Sequence, residues 1–192
     1  MKTIKLFILP MLALALFASC SDDDDAPAPV NPPELITDVN VIFTNAADAT
    51  DVITLTGISA DGIVAPTLTV SGPFTAGATY NATVTITDEV NDENILEEIV
   101  DEVDEHFFVY AVNTVDFTSV MRDGDDPVGT LDGSSTTHKL GLETTWTAGA
   151  ASTGTLTVQL IHQPTSVDDT GGFGTASGGD FDINNTWTVV IQ

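Results

Sequence analysis

Tyr80-Asn-Ala-Thr-Val-Thr-Ile-Thr87 alternates without a break. Tyr80, Ala82, Val84 and Ile86 fall on one side, and Asn81, Thr83, Thr85 and Thr87 on the other. A period of two is the repeat of an extended strand with one buried face, and the branched threonine side chain suits the open face of a pleated sheet. The same alternation recurs outward from this segment. Val39, Val41 and Phe43 share a phase, as do Ile53 and Leu55. Further strands are expected over 67–71, 106–112, 115–121, 138–146, 154–162 and 186–191, with Gly and Pro punctuating at 57, 62, 72–73, 77, 149 and 171–174. Phe107 to Val112 is apolar on both faces, which predicts a central strand. Trp146 and Trp187 are in phase with the inward faces of their strands. About nine short strands separated by turn signals predict an all-β fold, an immunoglobulin-like antiparallel β-sandwich over residues 34–192.

One segment departs from the period of two. Asn94 to Glu105 places Ile95, Leu96, Ile99, Val100 and Val103 on one helical stripe, with Asn94 as cap and Glu97 three residues on. Its other face is almost all carboxylate. Three like-charge i,i+4 pairs result (Glu97/Asp101, Glu98/Glu102, Asp101/Glu105), costing about 0.2–0.5 kcal/mol each. A short acidic helix is expected, held by its apolar stripe.

Acidity extends to the whole chain, with 29 Asp and Glu against 4 Lys and Arg and a formal net charge of −25. Such a surface repels nucleic acid and anionic lipid and attracts cations or basic partners. Two of the four basic residues, Lys2 and Lys5, precede an apolar run from Leu6 to Phe17 that meets Ala18-Ser19-Cys20. Basic, apolar and small-residue segments in that order are a secretory signal, and the run is shorter than a membrane span. We therefore read residues 1–19 as a lipoprotein signal peptide and Cys20 as the lipidation site, its thiol carrying diacylglycerol and the chain carrying palmitate-type acyl groups. Cys20 is the chain's single cysteine, so no disulfide or thiolate metal site is expected. Residues 20–33, Cys-Ser-Asp-Asp-Asp-Asp-Ala-Pro-Ala-Pro-Val-Asn-Pro-Pro, read as an extended acidic, proline-rich tether.

The three histidines each stand at an expected strand end in phase with its apolar face: His106 with Phe108 and Tyr110, His138 with Leu140 and Leu142, His162 with Leu160 and Val158. A hairpin of 138–146 and 154–162 through Gly149-Ala-Ala151 would set His138 opposite His162, with Cβ atoms about 4.5–5.5 Å apart. His106, close after Glu102, Asp104 and Glu105, is the third member. Imidazoles with carboxylates (His106, His138, His162, Glu102 and Glu105) suit zinc or copper. Calcium is the lesser expectation, in the loop holding Asp123, Asp125 and Asp126, continued by Leu131-Asp-Gly133. The EF-hand spacing fails there because Pro127 takes a ligand position. Asp169-Thr170-Gly171 matches an aspartic-protease triplet but lacks its supporting apolar element, and no G-x-S-x-G elbow or phosphate-cradling loop occurs. No enzyme is expected.

Ser21-Asp-Asp-Asp-Asp25 after the cysteine resembles the acidic export signal of Bacteroidota-type surface lipoproteins, which implies display on the outer face of the outer membrane. Asp104-Glu-His-Phe-Phe108, the block from Gly141 to Pro164 and Gly178-Gly-Asp-Phe-Asp-Ile183 resemble a family of small flavobacterial-type lipoproteins, sometimes labelled type 1 periplasmic binding fold superfamily. That label implies an α/β fold, which the strand alternation opposes. The resemblance implies an accessory of TonB-dependent uptake, including of metal ions, with the acidic stretch before His106 and the His-x-Pro at 162 as its site. The expected partners are the membrane, through the lipid anchor, and an outer-membrane receptor, with no nucleic acid. The alternative is a structural or adhesive cell-surface module, its acidic loops stabilised by calcium or by nothing.

Overall fold

The computed structural model describes residues 34–131 and 133–192. The expected leader, the lipidation site Cys20, the tether and Asp132 lie outside the described residues. Strands β1 (Asp38–Asn45), β2 (Val52–Ile58), β3 (Thr67–Val70) and β4 (Thr79–Thr87) precede the helix α1 (Ile95–Asp101). There follow β5 (His106–Asn113), β6 (Phe117–Arg122), the short pair β7 (Val128–Gly129) and β8 (His138–Lys139), and β9 (Thr144–Ala148). The chain closes with β10 (Ser152–His162), the small hairpin β11 (Ser166–Asp168) and β12 (Thr175–Ser177), and β13 (Asp180–Ile191).

A six-stranded antiparallel sheet, β3-β2-β1-β4-β9-β6, packs against a three-stranded one, β13-β10-β5. The fold is an antiparallel β-sandwich with one short acidic helix. The alternating segment from Tyr80 lies in β4, inside the larger sheet, and its four apolar residues are buried while Asn81, Thr83 and Thr85 face solvent. Phe74 sits against Phe43, Tyr80 and Phe117 with ring centroids 5.0–5.2 Å apart, edge to face, a geometry that aromatic quadrupoles favour. Both tryptophans are in the core, and the indole N–H of Trp187 in the smaller sheet donates to the Thr56 carbonyl of the larger at 3.0 Å. No described helix is long and apolar enough to cross a membrane.

Three expectations are corrected. The segment 138–146 is not one strand and does not pair with 154–162, because β9 joins β4 and β6 in the larger sheet while β10 belongs to the smaller. A buried polar knot bends the chain between β8 and β9. The Asp126 carboxylate accepts the N–H groups of Gly141, Leu142 and Glu143, and Gly141 takes a φ of +92° beside the Arg122 guanidinium. A Cβ at that glycine would collide with the arginine.

The second correction concerns β5, which is an edge strand, with β10 in the middle. Its apolar outer side is explained by loops that cover the edge. Phe108 N–H donates to the Leu140 carbonyl and Tyr110 N–H to that of Phe173, while Phe107 lies beneath the Arg122 guanidinium. Third, the helix ends at Asp101, and residues 102–105 turn the chain into β5. Ile95 and Ile99 are buried, with Leu96, Val100 and Val103 packed alongside the core. Asn94 donates to the Glu97 carboxylate and does not cap a backbone N–H with its side chain.

Candidate metal centre

The middle strand of the smaller sheet has a neighbour on both sides, so a residue at its end meets two others on the same rung. His162, at the end of β10, is the cross-strand partner of His106 at the start of β5. Both follow the even-numbered phase of their buried neighbours, and their rings stack with centroids 4.8 Å apart and planes 5° off parallel.

On the other side of β10, β13 is bulged. Leu160 pairs with Ile183 and Ile161 with Phe181, which leaves Asp182 without a partner. Along β13 the buried residues are Ile183, Asn185, Trp187, Val189 and Ile191, so unbroken alternation would bury Phe181 and expose Asp182. The extra residue reverses this: Phe181 is 58% exposed, and the Asp182 side chain keeps 2%. Glu34, four residues before β1, supplies a second buried carboxylate from the segment leading into the larger sheet.

Glu34, His106, His162 and Asp182 each offer one donor atom, and the four atoms lie within 4.8 Å of one another. His106 Nε2 is 3.6 Å from Asp182 Oδ2 and 3.8 Å from Glu34 Oε2, and His162 Nδ1 is 3.9 Å from Asp182 Oδ1. These separations are too long for hydrogen bonds, which close at about 2.7–3.2 Å. They come near the spacing of two ligands on one ion: bonds of about 2.0–2.2 Å at tetrahedral angles put ligand atoms about 3.4 Å apart. Glu34 Oε2, His106 Nε2, His162 Nε2 and Asp182 Oδ2 are all buried without a hydrogen-bond partner. Leaving such atoms unsatisfied costs about 1–3 kcal/mol each, more where charged, and either a proton on His106 or a cation shared among the four residues would relieve that cost.

The surroundings set the charge and the tautomer. His106 Nδ1 lies 3.2 Å from the Glu102 carbonyl, which accepts its N–H and so keeps the proton on Nδ1, leaving Nε2 with a free lone pair once the ring is neutral. Burial opposes a charge on His106, but the Asp182 and Glu34 carboxylates and the Glu102 carbonyl outweigh it and push its pKa up to about 10. Glu34 is held below the usual carboxylate range, chiefly by His106 and against its own burial. The two carboxylates that hold this proton would also attract a divalent cation, which must displace the proton to reach the ring nitrogen. Two nitrogen and two oxygen donors with no sulfur suit zinc, and also copper(II).

Of the residues singled out from the sequence, His106 and His162 are brought together. His138 is not with them: it is buried against the edge of Phe107, its Nε2 3.2 Å from the Val103 carbonyl. Glu102 meets His106 through its backbone carbonyl, outside the four-donor group. Glu105 stands just outside the group, its Oε2 3.6 Å from His162 Nε2. In the acidic loop, Asp126 spends both oxygens on three backbone N–H groups, Asp123 accepts from Thr145 at 2.7 Å, and Asp125 is exposed. Among the described residues these three acids brace the loop and do not form a group of converging donors.

Sequence reasoning missed Glu34 and Asp182. Glu34 abuts the proline-rich segment with no local pattern around it. Asp182 lies on the outward parity of its strand, and the one local irregularity is the acid–aromatic–acid run Asp180-Phe-Asp182. The chain matches no family model, no curated protein and no solved structure.

Proposed function

We propose that this chain is a metal-binding surface lipoprotein of the bacterial outer membrane. In this reading it is a non-catalytic accessory that holds a divalent transition ion, zinc before copper, for a TonB-dependent uptake receptor. The carrying observation is that four side chains each bring one donor atom within 4.8 Å of the others, and each also carries a buried polar atom without a hydrogen-bond partner. Four protein side chains would fill the four positions of a tetrahedral ion, which favours holding the ion over keeping a position open for water chemistry. The surplus of acids supports cation capture, and the lipoprotein-type start of the sequence supports the envelope location.

Calorimetric titration of the purified protein tests the metal part. One zinc per chain is expected, and affinity no tighter than millimolar for both zinc and copper would remove it. The uptake part is tested by zinc accumulation in the parent bacterium under zinc limitation. Deletion of the gene should lower it, and a copy carrying Asp182→Asn should not restore it. A second reading has one observation in its favour: the four donors tie β5, β10, β13 and the segment before β1 together, as a structural staple in an adhesive module would. Normal zinc accumulation in the deletion strain would select that reading.

A further inference from the structure

One carboxylate at this site is neither buried with the four donors nor free in solvent. The Glu105 side chain keeps 33% exposure, against 0–7% for the four, yet its Oε2 lies 3.6 Å from the orphaned Nε2 of His162. His162 therefore offers its orphaned nitrogen, Nε2, on the side where the half-exposed Glu105 carboxylate stands. Glu105 also lines an open cavity of about 470 Å³ with Asp104, Gln163, Pro164 and Thr165. Gln163 holds it at two points, its side-chain amide donating to Glu105 Oε2 at 2.8 Å and its backbone N–H to the Glu105 carbonyl at 2.6 Å. Gln163 itself, in the turn after β10, has a φ of +51°.

Resting on the metal-site reading with His162 binding through its orphaned Nε2, we propose that Glu105 is the exchange ligand of the centre: an incoming divalent ion is caught by Glu105 at the cavity and handed to the adjacent His162 Nε2, and it leaves by the same route. The hand-over needs only ligand substitution, with one carboxylate–metal bond forming or breaking as the imidazole bond breaks or forms. Because the same intermediate serves both directions, Glu105 speeds loading and release equally and leaves affinity unchanged. A plain rim charge differs, since it alters association and its salt dependence.

The test measures zinc association and zinc release to excess chromophoric chelator by stopped-flow mixing, together with equilibrium affinity, for the wild-type protein, Glu105→Gln and Glu105→Asp. Glu105→Asp keeps the charge and shortens the reach. Both variants should load and release zinc more slowly by a common factor, on the order of tenfold for Glu105→Gln, with Kd nearly constant. Unchanged rates in either variant, slowed association alone, or a Kd weakened as much as the rates would overturn the exchange role while leaving the site intact. Absence of zinc binding by the wild-type protein would overturn the metal-site reading itself, and this inference with it.

Discussion

His106 carries the densest set of contacts in the centre, with one ring nitrogen fixed by the Glu102 carbonyl and the other facing two carboxylates. Partners that merely orient a ligand are worth about 10–100-fold in metal affinity, so loss of the ligand itself should exceed that range. His106→Gln is therefore expected to weaken zinc binding by more than about 100-fold in a calorimetric titration. His138→Gln should leave affinity unchanged, since His138 lies elsewhere, beside Phe107. Equal losses in the two variants would contradict the placement. The same residue sets a pH dependence in chelator-treated protein. Its folded pKa of about 10 lies above the ordinary 6.5, so the stability it contributes is full below 6.5 and is lost as the pH rises through 10. The metal-free melting midpoint should fall between those two values, and His106→Gln should flatten the fall. A wild-type midpoint that holds steady across the window would refute the buried imidazolium.

Asp182 reaches the centre only because β13 carries one residue more than β10 requires. Deleting Phe181, together with Asp180→Asn so that no second acid takes the inward position opposite His162, should close the ladder, pair Ile161 with Asp182 and turn that carboxylate outward. The deleted protein should keep its far-ultraviolet β-sheet spectrum and lose zinc binding, and retained binding would show that the bulge does not aim the side chain. The other elements differ in how plainly their sequence declares them. Alternation of Tyr80, Ala82, Val84 and Ile86 with polar residues announced β4, because each side chain's face follows from its own parity. The helix was announced by its apolar stripe, but its end was not. Asp101 closes it because the chain must turn within 102–105 to deliver His106 to β5, a demand made by the sheet and invisible in the stripe.

Across the molecule, an ion held by Glu34, His106, His162 and Asp182 would tie the segment before β1 to all three strands of the smaller sheet. Binding that favours the folded state stabilises it by about 2.7 kcal/mol at a free ligand concentration of 100 times Kd. For a domain of this size that is a rise of roughly 5–10 °C in melting midpoint, reversed by chelator. A midpoint indifferent to zinc at such excess would argue against a centre that spans these elements.

The all-β class, the two core tryptophans and the inward phase of His106 and His162 were readable in the chain, because strand parity is a property of consecutive residues. Which strands became neighbours was not. Leu140 to Glu143 leave the expected hairpin through contacts with Asp126 and Arg122, residues distant in sequence, and this sends β9 to one sheet and β10 to the other. That choice separated His138 from His162 and gave His162 to His106. Glu34 and Asp182 joined them through packing and a register shift, both set by the pairing of remote segments and by no pattern local to either acid.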